Sequence, residues 1–292
     1  LTRCERVSVA LKSFSRICKR DPRGEKNFRA FDSTAAIGLQ RFASILDSLL
    51  TPRNQTWHGL VSKDPAIKKN RQCRLWFEDA TRILFDHRYS PAANFSTHNQ
   101  QNYLFLGGFG TGCVFADRDP KGGLRYCSIH LGQIYFAENH QGVIDKALRC
   151  FMMTARQILQ KEKTAKPWKN IPDAVREKAK TNPEHEFEIV HCVKPRADLD
   201  PTRKDYKGME FASYYVIKEG KALLEEDGYR SFPYAISRYT QTPGEIYGRS
   251  PAMDVLPAIK TLNEQKKTIL KQGHRAVDPV LLAHDDGVLG GF

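Results

Sequence analysis

The spacing of apolar residues changes character at one glycine-rich junction, Gly107-Gly108-Phe109-Gly110-Thr111-Gly112. Before it, apolar side chains recur three and four residues apart, as one face of a helix requires. After it they fall into short runs that alternate or cluster, separated by Asp-Pro and Gly-Gly turns, as strands require. A chain written in this order has an α+β fold whose sheets are antiparallel. The junction superficially looks like a phosphate-cradling loop, but it precedes a strand, whereas a dinucleotide site follows one and opens a helix. It reads as a helix end. No P-loop with its Lys and Ser/Thr occurs, so the phosphate cradle of an NTP-driven motor is missing.

Upstream of the junction, Phe31-Asp32-Ser33-Thr34 supplies N-cap oxygens, and Ile37, Phe42, Ile45, Leu46 and Leu49 then follow at helical spacing until Thr51-Pro52. This predicts a buried amphipathic helix. A second is predicted from Asp64-Pro65 through Trp76, Ala80, Ile83 and Leu84 to Ser90-Pro91, and a third over residues 96–106. Downstream, residues 113–116, 124–130, 133–137 and 144–150 are expected to form one small antiparallel sheet. Residues 152–163 read as a helix, 166–183 as a polar, proline-containing linker or lid, and 186–193, 210–218, 221–225 and 232–239 as a second antiparallel sheet. A final helix starts at Ser250-Pro251 and runs toward Ala276, with a kink or restart expected at Pro257.

Charge narrows the partner class. The 292 residues carry 46 Lys and Arg against 33 Asp and Glu, a formal net charge of +13. Such a surface attracts polyanions: DNA, RNA or an acidic protein. The excess is concentrated. Residues 1–29 form an arm with nine basic and three acidic residues, residues 146–169 hold seven against one, and residues 256–276 hold five cations against Glu264. On the last helix, which at 1.5 Å per residue spans roughly 30 Å, Lys260, Lys267, Lys271 and Arg275 fall near one face.

Other features exclude function classes. Seven cysteines, an odd number without a C-x-x-C pair, read as reduced thiols. No run reaches the roughly 18 apolar residues of a membrane helix, and the first residues lack a signal-peptide core. The chain starts without Met and stops at Gly290-Gly291-Phe292, which leads us to expect further sequence on either side. The nine histidines show no H-E-x-x-H or paired Cys/His spacing; His185 and His191 read as ordinary polar residues flanking a strand. There is no G-x-S-x-G elbow, and Asp285-Asp286-Gly287 reads as a loop. No catalytic residue, metal ligand or cofactor is assigned.

The run from Tyr247-Gly248-Arg249-Ser250-Pro251 through Asp254-Val255-Leu256-Pro257 to Asn263-Glu264, with Ala276-Val277-Asp278-Pro279 and Asp285-Asp286-Gly287 after it, resembles the head-to-tail connecting (portal) proteins of short-tailed bacteriophages. Phe31-Asp32-Ser33-Thr34, Leu50-Thr51-Pro52, Gly110-Thr111-Gly112 and Met153-Thr154-Ala155-Arg156-Gln157 resemble the same family in the same order. The resemblance implies the phage portal fold: a basic arm (1–30), wing helices and sheet (31–143), a descending stem region and linker (144–185), a clip sheet (186–249), a returning stem helix (250–279) and the start of the channel loop (280–292), without the crown. It further implies a twelve-fold ring at one capsid vertex of the virion, assembled in the host cytoplasm, that passes double-stranded DNA and docks terminase, capsid or scaffolding protein and tail adaptors. On that reading Lys260, Lys267, Lys271 and Arg275 approach the channel, and Lys194, Arg196, Arg203 and Lys204 lie on the clip face toward terminase and adaptor. Two other readings stand beside it. A basic nucleic-acid-processing enzyme requires Asp285, Asp286 and a third acid to converge on an ion; a monomeric capsid adaptor requires no ring.

Overall fold

The computed structural model describes residues 31–118, 122–164 and 167–279. Four helices come first: α1 (Thr34–Leu50), α2 (Pro65–Lys69), α3 (Arg71–Tyr89) and α4 (Phe95–Phe109). At the entry of α1 only one of the two expected caps operates, because the Asp32 carboxylate accepts from the Thr34 N–H and hydroxyl at 3.1 Å while Ser33 makes no capping bond. The helix is also less buried than its pattern suggests. Ala43 alone is fully covered, and Leu49 remains 72% exposed, because α4 is the main element packed on it.

The second predicted helix is two. Asp64 caps α2 as expected, accepting from the Ala66 N–H at 2.9 Å with Pro65 in the first turn. Asn70 then leaves helical geometry (φ −74°, ψ 120°), and its side chain accepts from the Gln72 N–H to start α3. One Asn serves as the end of one helix and the cap of the next. Segment 51–62 returns over α3 and α4, held by Trp57, whose indole N–H donates to the Tyr89 hydroxyl at 2.9 Å and whose ring receives the Arg88 guanidinium at 4.9 Å.

Eight strands follow: β1 (Thr111–Arg118), β2 (Leu124–Ser128), β3 (Ile134–Glu138), β4 (Ile144–Thr154), β5 (Glu186–Pro195), β6 (Phe211–Ile217), β7 (Ala222–Tyr229) and β8 (Tyr234–Arg238). Two short helices, α5 (Ala155–Glu162) and α6 (Asp173–Thr181), separate β4 from β5, and α7 (Pro251–Val277) ends the described chain. The mixture of helix and antiparallel sheet is the α+β fold expected. Membership of the sheets is not. One sheet has the order β2-β1-β8 and the other β3-β4-β5-β6-β7, all antiparallel. The strands expected as a first sheet thus divide between two, and β4 pairs with β5 from Ala147↔Val193 to Thr154↔Glu186. Strands assigned by resemblance to wing and clip share ladders, so no sheet boundary falls between residues 144 and 186.

Two further expectations change in this region. Met152 and Met153 belong to β4, and the helix after it starts only at Ala155, capped by Thr154, whose hydroxyl accepts from the Gln157 N–H while the Gln157 side chain accepts from the Thr154 N–H. This capping box marks the boundary more sharply than apolar spacing does. The expected linker is core material. Trp168, Ile171 and Val175 are at most 7% exposed, and the Trp168 indole donates to Glu225 at 2.8 Å.

The inner face of β5 explains the architecture. Phe187, Ile189, His191 and Val193 alternate inward, so a single strand face serves two clusters. Phe187 and Ile189 pack with Ile158 of α5, Val175 of α6, Ile217 and Leu224. Val193 packs with Cys113, Phe115, Ile134, Phe136 and Tyr234, where the smaller sheet covers the larger. Full burial of each such side chain contributes about 1.5–3 kcal/mol. His191 sits at the seam, fully buried rather than flanking a strand as an ordinary polar residue. One ring nitrogen, Nε2, bonds Ser213 Oγ at 2.9 Å, the other, Nδ1, bonds the Tyr234 hydroxyl at 2.6 Å, and the ring stacks on Tyr215 at 4.0 Å. Ser213 lies on the large sheet and Tyr234 on the small one, so this imidazole joins the two.

Candidate nucleic-acid interface

The root of α7 lies where α4 turns into β1. Gly110 ends α4 in the left-handed region (φ 77°), and a Cβ there would stand 2.4 Å from the Gly248 carbonyl oxygen. Only glycine admits this approach. The Gly248 N–H donates to the Thr111 hydroxyl at 2.8 Å. Ser250, 1% exposed, completes the joint: its oxygen accepts from the Met253 N–H, and its hydroxyl donates to the Gly108 carbonyl, both at 3.0 Å. The cap read from Ser250-Pro251 therefore also ties α7 to the end of α4.

From this root α7 runs 27 residues, about 40 Å, and continues through Pro257 without the expected restart. None of its residues is buried. In the body it packs against α4, and farther along Ile259, Leu262, Asn263 and Lys267 are half-buried; Phe31 packs here, donating its N–H to Asn263 Oδ1 at 2.7 Å. Val255, Leu256, Ile269 and Leu270 stay at least 45% exposed, an apolar row uncovered within one chain.

At 100° per residue Lys260, Lys267, Lys271 and Arg275 fall within an arc of about 80°, so the helix brings the predicted cations together. Their states differ. Lys267 lies 6.0 Å from the centre of the Phe31 ring and pairs with Glu264 at 3.1 Å, so its charge is already shared before an outside anion arrives. Lys260, Lys271 and Arg275 are exposed and have no carboxylate within 4 Å among the described residues. Three uncommitted cations and one shared cation can meet phosphates without fixing a duplex in register, because such contacts carry no base information.

The second group of predicted residues lies at the end of β5 and in the β5–β6 connection, and it divides differently. Lys194 is exposed at the end of β5 with its Nζ 5.6 Å from the Tyr214 ring centre, and Lys204 is exposed in the loop after it. Arg203 forms a forked pair with Asp205, whose carboxyl is held below its usual range first by that hydrogen bond. The loop closes tightly enough that a Cβ on Gly208 would meet the Arg203 carbonyl oxygen at 1.9 Å. Arg196 is not on a face at all. Its side chain is 0% exposed, donating to Glu226 at 3.3 Å and to the Asp227 carbonyl at 3.0 Å. A buried charge needs such partners, and it serves the loop's stability rather than contact.

Sequence reading missed His191 and Arg196 as structural polar groups. For His191 the signal was present in the alternation Phe187, Ile189, His191, Val193; for Arg196 the nearby Asp198, 3.6 Å away, gave no sign of burial, since the other partners, Glu226 and the Asp227 carbonyl, are thirty residues on. Asp285 and Asp286 lie outside the described residues. Among those described, no group of three or more His, Cys, Asp or Glu is arranged to hold a metal ion, and no helix is long and apolar enough to cross a membrane.

The fold is thus a two-sheet α+β body carrying a long basic helix, none of whose residues is buried. Residues 11–291 match the model of the bacteriophage head-to-tail connecting protein, and the chain belongs to that family. It is similar to the probable portal protein of Bordetella phage BPP-1, 26% identical over 250 residues, which covers 84% of this chain and 44% of that protein. It is likewise similar to the portal protein of Salmonella phage epsilon15, 27% identical over 265 residues, covering 88% of this chain and 46% of the relative. The chain spans about half the length of the curated relatives it matches.

Proposed function

We propose that this chain contributes one segment of a twelve-fold portal ring at a capsid vertex of the virion, assembled in the host cytoplasm, through which double-stranded DNA is packaged and later ejected. The observation that carries the reading is α7. Its cations occupy one arc, while Val255, Ile269 and Leu270 remain uncovered on another side of the same helix. A lone soluble subunit gains nothing from an uncovered apolar row. Repeated side by side, such helices cover the apolar rows against neighbours and leave the cations facing a shared bore.

The chemistry suits a passage. A channel that passes any sequence has no use for base contacts, and tight phosphate pairing at every step stalls a moving duplex. A few solvated ammonium groups per subunit attract the polyanion without gripping it. In family terms α7 is a stem helix. The shared sheet supports placing the strands of residues 186–238 in the same body as the wing, with Lys194, Arg203 and Lys204 on an exposed loop available to terminase or tail adaptor, and with capsid or scaffolding protein meeting the body elsewhere.

The test combines assembly with transport. Mass photometry of the protein gives its oligomeric state, and phage carrying Lys260→Ala with Lys271→Ala are assayed for packaged DNA. Intact rings with reduced packaging or retention support the reading. Monomers at all concentrations, or collapsed rings with unchanged packaging per ring, overturn it.

A further inference from the structure

Helix α3 presents apolar side chains on two flanks that the chain itself leaves uncovered. On one flank Trp76 and Ile83, two turns apart and 64% and 52% exposed, form a ridge. On the other, a groove of about 730 Å³ opens between α3, α2 and the returning segment 51–62, with Leu60, Ile67, Phe77 and Phe85 among its walls. The groove is a built feature. The Leu60 N–H donates to the Thr81 hydroxyl at 3.0 Å, and that hydroxyl donates to the Phe77 carbonyl at 2.7 Å, which pins the segment's wall to the helix. At 100° per residue Phe85 lies about 160–180° around the axis from Trp76 and Ile83, so ridge and groove face opposite ways.

A head-to-tail contact joins two unlike faces of identical copies, and a ring of twelve turns each copy by only about 30°, so the two faces must lie nearly opposite on every subunit. The flanks of α3 do. Their charges also match. The groove is lined by Arg53, Lys68, Arg74 and Arg82 against Glu78 and Asp86, and Lys68 is exposed with no carboxylate within 4 Å among the described residues. The ridge flank carries Asp79 and no Lys or Arg; Asp79 pairs with Arg82 at 3.2 Å in an exposed bridge that water screens. We propose that Trp76 and Ile83 of one copy seat in the α3 groove of the next, with Lys68 of that groove meeting Asp79 beside the ridge. The ridge offers on the order of 200 Å² of apolar surface, well below the roughly 800 Å² per side of a stable interface, so it acts together with the apolar row of α7 at the same junction. This rests on the ring reading above and names the surface by which neighbouring copies recognise one another.

Mixing two variants tests the contact. Sedimentation velocity of the full chain gives the concentration at which half of it is assembled. Trp76→Glu breaks the ridge, and Val61→Glu with Lys68→Glu breaks the groove; all three residues are exposed, so each variant is expected to keep the wild-type melting transition. Either variant alone is expected to raise the half-assembly concentration about tenfold or more, and Trp76→Ala, which adds no charge, to move it in the same direction. Combined one to one, the two variants restore one junction per pair, the intact ridge of one meeting the intact groove of the other, and are expected to accumulate as dimers. Wild-type assembly by both Trp76 variants, or a mixture that associates no better than its components, overturns the proposal while leaving the ring in place. A wild-type chain that stays monomeric at every concentration overturns the ring reading and this contact with it.

Discussion

Lowering the pH is expected to loosen the joint between the two sheets through one residue, His191. The ring is fully buried, both nitrogens are bonded within the protein, and its pKa is pushed down to about 3, first by burial and then by the charge of Arg149. In the unfolded chain the same group titrates near 6.5. Between those values the unfolded chain binds a proton that the folded chain refuses, so stability rises with pH across this window. The contribution is fully present above about pH 6.5 and lost as pH falls toward 3. Well below pH 6.5 each unit costs about 1.4 kcal/mol, so by pH 4.5 about 3 kcal/mol of the contribution present at pH 7.5 is gone.

Glutamine at this position offers an amide oxygen and nitrogen to Ser213 and Tyr234 but does not titrate. Urea unfolding followed by fluorescence, at fixed protein concentration and at pH 7.5, 6.0 and 4.5, is the assay. At pH 7.5 the His191→Gln protein is expected to be less stable by about 1–2 kcal/mol, from poorer bonds and packing. By pH 4.5 that gap closes and reverses, because only the wild type carries the linked loss. Groups common to both proteins cancel in the difference. A gap that stays constant to within about 0.5 kcal/mol from pH 7.5 to 4.5 refutes the argument that His191 is held neutral.

Arg196→Ala is expected to destabilise by about 2–3 kcal/mol, since it removes the buried guanidinium's hydrogen bonds to Glu226 and the Asp227 carbonyl and leaves its site unfilled while water solvates the exposed Glu226, whereas loss of the exposed Lys204 changes stability by less than about 0.5 kcal/mol; equal melting temperatures for the two variants would remove Arg196 from the interior. Gly110→Ala is expected to cost more than about 2 kcal/mol, from the left-handed backbone and a contact at 2.4 Å, while Gly38→Ala in the open interior of α1 stabilises by up to about 1 kcal/mol; thermal unfolding decides, and parallel effects would contradict the close approach of α7's root to α4.

Local signals in the sequence were reliable because their physics is local. Asp64-Pro65 and Ser250-Pro251 announce helix starts through a side-chain oxygen within three residues of the N–H it satisfies, and the structure uses both. The arc of Lys260, Lys267, Lys271 and Arg275 follows from helical periodicity alone, and the family is legible in runs such as Gly110-Thr111-Gly112 and Ser250-Pro251. Period-2 alternation likewise marks where strands lie. It carries no information about which strands pair: β8 joins β1 across more than a hundred residues, and β4 extends to Thr154 because Glu186 stands opposite to receive it. The interior roles of Arg196 and Trp168 depend on partners supplied by β7, Glu226 and Glu225. Charge and amphipathic pattern are properties of a segment and can be read there, whereas pairing and burial of a polar group are settled only when distant segments compete for the same hydrogen bonds.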